Sequence, residues 1–405
     1  MLLLPGLCAC REEPRAGPPA RAGEQAEPSV RVLLLKDANA CTVRLGSSFD
    51  VWAETASTIG VDPKSHFEGI GDEIEIRLSG KTISIDDKAF EGNEISIKPA
   101  NAAVLSMDGC DYRGALRLAV NQDGNSFDVI NDVDAESYLA GVVGAEMPDY
   151  WEGEALKAQA IAARTYCLYI KQRFGTGRHW DVSKTQAHQV YRGVEGESAP
   201  IRSAVNQTKG KVLVCDLGKD GEGIFPAYYS STCGGHTENS EHVFGDSFAP
   251  LVGVECPYCI DVARPRYYFW PTVRFDCEEV NERLLSNYPS LKQLGQIIDL
   301  AAAEQTDYGT YRRLTRIKLL GSTGKSDSLR AEDLRLTIDR SGRLLKSTIC
   351  EISKVEGQWV FRFGRGFGHG VGMCQCGAQA MARQGKTAEQ ILDYYYPNSR
   401  IAEAY

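Results

Sequence analysis

Glu146 is the residue in this chain best placed by its neighbours to do acid–base chemistry. It follows the apolar run Tyr138–Val143 and is followed by Met147-Pro148. The residue before a proline is pushed out of the helical region, so the carboxyl arrives at a forced chain reversal. Apolar neighbours raise a carboxyl pKa by desolvation, which makes such a residue a candidate general acid. A carboxylate that caps a backbone turn fits the same place, and the local pattern by itself favours capping.

A second concentration of chemistry is Gly364-Arg-Gly-Phe-Gly-His-Gly-Val-Gly-Met-Cys-Gln-Cys-Gly-Ala378, in which glycines alternate with side chains around His369. Glycine at this density leaves the backbone exposed and conformationally free. A histidine in that setting serves structure or function with equal weight. The run is no phosphate loop, because it lacks a Gly-Lys-Ser/Thr end, and its glycine spacing does not fit the dinucleotide fingerprint.

The cysteines offer a third possibility. Cys233-x2-His236 and Cys256-x2-Cys259 have the ligand types and local spacing of a zinc site. They also fit one disulfide plus a spare thiol in an oxidising compartment. Cys-Pro-Tyr-Cys lacks the flanks of a zinc ribbon, which favours a disulfide from Cys233 to one of the pair. Cys374 and Cys376 form another close pair. A catalytic metal on Cys233, His236, Cys256 and Cys259 is the least favoured reading, since three thiolates suit structural zinc better than an open site. In His179–Gly193, Gln189, Tyr191 and Arg192 suit either a sugar face or a surface strand. Gly234-Gly235, at the end of Phe225–His236, lets backbone approach a ligand closely.

The elements that must position these residues are legible in part. Ala155 to Ala163 is rich in strong helix formers, and Leu156, Ala160, Ala163 and Cys167 recur at helical spacing. Glu152 and Glu154 at one end and Lys171 and Arg173 at the other match the helix macrodipole. From Val30 to about Asp134 short alternating runs broken by Gly, Asn and Asp predict strands. Further on, Glu278–Leu294 reads as helix, Arg313–Leu320 and Asp333–Ile338 as strands, and Gln379–Gln384 and Ala388–Tyr396 as helices stopped by Pro397.

With 405 residues the chain can bury a large core and holds two or more domains. A net charge of −9 and the lack of a basic stripe argue against nucleic acid as the main partner. No apolar run in the sequence is long enough to span a bilayer. Met1–Ala9 is a short apolar stretch, and Leu7-Cys8-Ala9-Cys10 is similar to a bacterial lipobox with Cys10 lipidated, although a basic start is lacking. Arg11–Pro28, rich in Pro, Ala, Glu and Arg, suits a flexible tether. The expectation is an exported lipoprotein facing the cell wall, held to the membrane by its lipid alone. Of 13 cysteines, removal of Cys8 and acylation of Cys10 would leave an odd number, so complete disulfide pairing is impossible.

NDVDAESYLAGVVGAEMP, EALKAQAIAARTY, HQVYRG, YYSSTCGGHTENSE and GRGFGHGVGMCQCGAQAMA ending in ILDYYYP together resemble the SpoIID/LytB family, in the family's order, over roughly residues 108–403. The resemblance implies an α+β fold, with a β-rich N-terminal part followed by a SpoIID-like catalytic region with a central Ala-rich helix. The boundaries expected are 1–29 for signal and tether, 30–107 for a β-rich module and 108–405 for the catalytic region. It implies a lytic transglycosylase of peptidoglycan glycan strands that needs no cofactor, with Glu146 of the Glu-Met-Pro motif as catalytic acid, which reverses the preference for capping. Gln159, Arg164 and Tyr166 match the family's helix motif. With Gln189, Tyr191, Ser231, Thr232, His369 and Gln375 they are the substrate-lining candidates. The other activity implied is a non-catalytic one, enhancement of a cell-wall amidase. In the loop where some members hold zinc, this chain has Ser183, Ala187 and His188, so no zinc is expected there. Cys376 stands where an aromatic residue is usual.

Overall fold

A computed structural model describes residues 26–54, 64–100, 104–175 and 177–405, and in it the chain divides into two units. One unit holds the described residues through Leu213 with Ile224–Pro226 and Ile401–Tyr405; the other holds Val214–Gly223 and Ala227–Arg400. The expected lipid-anchor residue Cys10 lies outside the described residues, as does most of the expected tether.

In the first unit the alternating runs become strands: β1 (Ser29–Ala38), β2 (Ala40–Glu54), β3 (Lys64–Ser79), β4 (Thr82–Ile85), β5 (Lys88–Glu91), β6 (Glu94–Pro99), β7 (Leu105–Met107), β8 (Cys110–Tyr112), β9 (Ala115–Val120) and β10 (Phe127–Asp134). The sheet order is β1-β10-β9-β6-β2-β3-β4-β5, with β7 on β2 and β8 on β7. Period-two side chains such as Ile95 and Ile97 of β6 and Leu116 and Leu118 of β9 bury one face. The sheet runs through the expected 107/108 boundary, since Ile95 pairs with Leu118 and Ile97 with Leu116. Glu27 belongs to the stretch expected as tether. Glu27 accepts the Glu136 N–H at 3.0 Å and pairs with Lys209 at 2.7 Å.

Helix α1 (Ala135–Glu146) leaves β10 directly, its N-terminus capped by the Asp134 carboxylate on the Ser137 N–H. Helix α2 (Gly153–Phe174) buries the expected stripe of Leu156, Ala160, Ala163 and Cys167 and carries Lys171 and Arg173 in its last turn. A short β11 (Val182–Ser183) adds to β1 in parallel, and α3 (Ala199–Gln207) follows. Buried Asp181 joins these parts, pairing with Arg31 at 2.6 Å and Lys171 at 2.9 Å. Burial opposes its ionisation, but hydrogen bonds from both cations hold its pKa below the ordinary carboxylate value.

Strands β12 (Lys211–Asp216) and β13 (Glu222–Ile224) come next in the chain. The second unit contains β14 (Tyr229–Ser230), α4 (Ser240–Val243), α5 (Pro265–Tyr268), β15 (Phe269–Trp270), β16 (Val273–Asp276), α6 (Cys277–Asn287), β17 (Ile297–Asp307), β18 (Arg312–Gly321), β19 (Ser326–Arg330), α7 (Ala331–Ile338), β20 (Ile349–Val355), β21 (Gln358–Arg365), β22 (Met373–Cys374), α8 (Gln375–Arg383) and α9 (Ala388–Tyr395). Strand β18 lies between β17 and β19; β21 pairs with β20 and, in succession, with β16 and β15. Trp270, Leu284, Leu294, Ile317, Leu334, Ile338, Trp359 and Phe361 share its core.

The strand expected over Asp333–Ile338 is helix α7 instead. Its apolar residues fall at every second position, which reads as strand, but Leu334 and Ile338 are the ones buried while Leu336 is 41% exposed. The buried pair Arg335–Glu332, 2.5 Å apart at i,i+3, belongs to the same helical register.

Candidate functional site

Glu146 is the last residue of α1 and is half-buried. Met147 turns extended, at φ −128° and ψ 142°, and closes the helix with its N–H on the Val143 carbonyl. The chain reversal that Pro148 forces is thus a helix C-terminus. Helix α1 is held from one side through its glycines. A Cβ at Gly141 would lie 2.6 Å from a Tyr191 ring carbon and 2.8 Å from the Gly193 carbonyl, and one at Gly144 would meet the Gly196 carbonyl. Glycine at both positions lets the Tyr191–Gly196 segment pack closely on the helix that carries Glu146.

The other candidates of this unit are committed to its packing. The Gln189 amide donates to the Ala163 carbonyl at 3.1 Å and accepts from the Tyr138 hydroxyl at 3.0 Å. Tyr191 donates to Asn131 Oδ1 at 3.1 Å, its ring 5.1 Å from that of Tyr138. Arg164, fully buried in α2, holds Glu136 through Nε at 2.9 Å and Nη2 at 2.6 Å and donates to the Lys211 carbonyl at 3.0 Å. Gln159 and Tyr166 are also buried in α2. In the following loop Ser183 Oγ lies 3.0 Å from His188 Nδ1, and burial beside Arg178 lowers the His188 pKa to about 4.

In the second unit, β14 and β22 run parallel, so that Ser230 faces Cys374 and the next residues of each segment, Ser231 and Gln375, lie at the same end of the pair. The Cys376 N–H donates to the Ser231 carbonyl at 3.0 Å. Thr232 and Phe367 exchange backbone hydrogen bonds at 3.1 and 2.8 Å. Gly366, Gly368, Gly370 and Gly372 all have positive φ, from 69° to 103°, so this loop needs glycine for its path as well as for exposure. His369 accepts the Val371 N–H on Nδ1 at 3.0 Å. Burial, with Arg335 and Arg313 nearby and Glu332 opposing them, pushes its pKa down to about 4, leaving a neutral ring at neutral pH. Ser231 and His369 are half-buried, whereas Thr232 and Gln375 are buried.

Sequence reasoning missed the hub of this unit. Arg313 is 1% exposed and donates to the carbonyls of Cys233 at 2.8 Å and His369 at 3.4 Å. Buried Glu238 lies 3.9 Å from it, accepts from the Tyr308 hydroxyl at 2.8 Å and joins the glycine loop through its N–H on the Gly370 carbonyl. Nothing local marks Arg313, because its partners stand 80 and 56 residues away. Nor does the structure join Cys233 to Cys256 or Cys259 by the expected disulfide. All cysteines among the described residues are free, and Cys233 Sγ stands 3.7 Å from Cys259 Sγ.

The family described as Stage II sporulation protein (SpoIID) matches residues 123–215. The chain is 31% identical to Stage II sporulation protein D of Bacillus amyloliquefaciens over 68% of this chain and 76% of that protein. It belongs to the SpoIID/LytB family. It is also 34% identical to an uncharacterised protein of Brachyspira hyodysenteriae, over 82% of this chain and 85% of that one. With the amidase enhancer of Bacillus subtilis it shares 28% identity over 88% of this chain, spanning 53% of that relative's length. In this SpoIID/LytB chain, the span matched by the family description contains both α1 with Glu146 and α2 with Gln159, Arg164 and Tyr166.

Proposed function

We propose that this SpoIID/LytB member is an exported, lipid-anchored lytic transglycosylase of peptidoglycan and that Glu146 is its catalytic acid and base. The observation that carries the reading is the placement of Glu146: half-buried at the end of α1, in the family's Glu-Met-Pro motif. A carboxyl there is reachable by a glycan and fixed by the helix behind it. Glu146 gives its proton to the glycosidic oxygen between N-acetylmuramic acid and N-acetylglucosamine, and the C1–O bond breaks. The resulting carboxylate takes the proton of the muramyl 6-hydroxyl as that oxygen bonds to C1. The product is a 1,6-anhydro end, and no water is consumed. One carboxylate serves both steps, unlike the paired acids of hydrolytic glycosidases. Arg164, Gln189 and Tyr191 are assigned to holding α1 and α2 in place.

The test is mass spectrometry of peptide-stripped glycan strands after incubation with the purified protein. Anhydro ends are expected, and Glu146→Gln is expected to lose about 10²- to 10⁴-fold in rate with its fold intact, the range of general acid–base help. Products carrying an added water, or an unchanged rate in the variant, would reject the assignment. The similarity to the Bacillus subtilis amidase enhancer over most of this chain favours a second reading, a non-catalytic enhancer. That reading predicts no glycan cleavage, with faster amidase turnover that Glu146→Gln leaves unaltered.

A further inference from the structure

Cys233, Cys256, Cys259 and Cys374 converge in the second unit with all four sulfurs within 4.8 Å of one another. Each residue is no more than 1% exposed. A disulfide needs its sulfurs about 2.05 Å apart, whereas Cys233 Sγ and Cys259 Sγ are separated by 3.7 Å. Four thiolates around zinc at about 2.3 Å form a tetrahedron whose edge is about 3.8 Å. We propose that these four cysteines bind one zinc ion in a closed structural centre. This goes beyond the glycan chemistry and does not depend on it.

The surroundings suit charged sulfurs. The Gly235 N–H points to Cys233 Sγ at 3.4 Å, the Cys233 N–H to Cys374 Sγ at 3.3 Å, and the Tyr395 hydroxyl lies 3.1 Å from Cys256 Sγ. Outer hydrogen bonds of this kind orient metal ligands and tune their basicity. Zinc with four thiolates carries a net charge of −2, and two cations sit on the ligand-bearing backbone: Arg313 donates to the Cys233 carbonyl and Arg365 to that of Gly234. Each thiol that binds gives up its proton, so loading the site releases protons to solvent.

The ligands come from three separate stretches of chain. Cys233 precedes the turn at Gly234 and Gly235, with φ of 81° and 120°. Cys256 and Cys259 stand on either side of a tight loop docked by the Cys256 N–H on the Gly235 carbonyl at 2.8 Å. Cys374 is the N-cap of α8. The pairing of β14 with β22 is only two residues long, so a metal supplies the cross-link that so short a ladder lacks. His236 takes no part: its Nδ1 is 2.6 Å from the Thr237 carbonyl and its ring stacks on Tyr308 at 4.2 Å. With four protein ligands there is no open position, which marks the centre as structural.

The experiment is elemental analysis of the full chain, produced with zinc in the medium and purified without chelator. One zinc per chain is expected, released by a thiol-binding mercurial, and chelation is expected to lower the melting temperature. Cys374→Ser is expected to lose the zinc and Cys277→Ser to keep it. Should Cys374→Ser fail to fold, cobalt loading of the unaltered chain is expected to give the intense charge-transfer absorption of a tetrahedral thiolate site. Purified protein with no zinc and these four cysteines in two disulfides would overturn the proposal. So would stoichiometric iron in place of zinc, or full zinc content in a folded Cys374→Ser.

Discussion

Arg164 illustrates how a side chain suited to sugar recognition is used for cohesion. Its bidentate hold on Glu136, at 2.9 and 2.6 Å, takes place with the guanidinium fully buried. Glu136 also accepts the Gly210 N–H at 3.3 Å and the Tyr405 hydroxyl. Breaking a buried pair strands an uncompensated charge, which costs about 3–5 kcal/mol, whereas replacing both partners by groups of similar volume is often near neutral. Arg164→Met and Glu136→Gln are each expected to fall in that range in urea unfolding. The double variant is expected to recover part of the loss. Single variants that cost under about 1 kcal/mol, the level of a surface pair, would show that the ion pair does not hold the helices together.

At the scale of elements, α1 is positioned by what it lacks. Gly141 and Gly144 share one side of the helix, and the Tyr191–Gly196 segment occupies the space their side chains would need. Alanine is a better helix former than glycine by about 0.8–1.0 kcal/mol, yet at Gly144 its methyl would meet the Gly196 carbonyl. Overpacking of this kind costs about 1–3 kcal/mol, so Gly144→Ala is expected to lower the melting temperature. Gly153→Ala is the control, since a Cβ there meets nothing within 4 Å. Equal melting temperatures for the two variants would mean that close packing does not set the position of α1.

For the molecule as a whole, the proposed location is the issue. No helix among the described residues is long and apolar enough to cross a membrane. In the proposed lipoprotein, attachment rests on lipidation of Cys10. One acyl chain binds membranes only marginally, whereas the several chains of a lipoprotein anchor firmly. Cys10→Ala is expected to move the protein from the membrane fraction to the soluble exported fraction. An unaltered chain recovered in the cytoplasm would refute the lipobox reading.

Local physics was legible in the sequence. The stripe of α2, the chain reversal before Pro148, the strands of the first unit and the glycine loop each follow from residues within a few positions of one another. Where local patterns compete, the sequence misled: the alternation in Asp333–Ile338 suits a strand, and burial of Leu334 and Ile338 on one helical face decided otherwise. The sequence noted the Cys374–Cys376 pair but joined it to nothing, since Cys374 meets Cys233 across 141 residues. Arg313 reaches Cys233 across 80. Such meetings are decided only by the tertiary structure, because a buried charge or thiol takes whichever partner the packed chain brings within reach, and spacing along the chain carries no record of that choice.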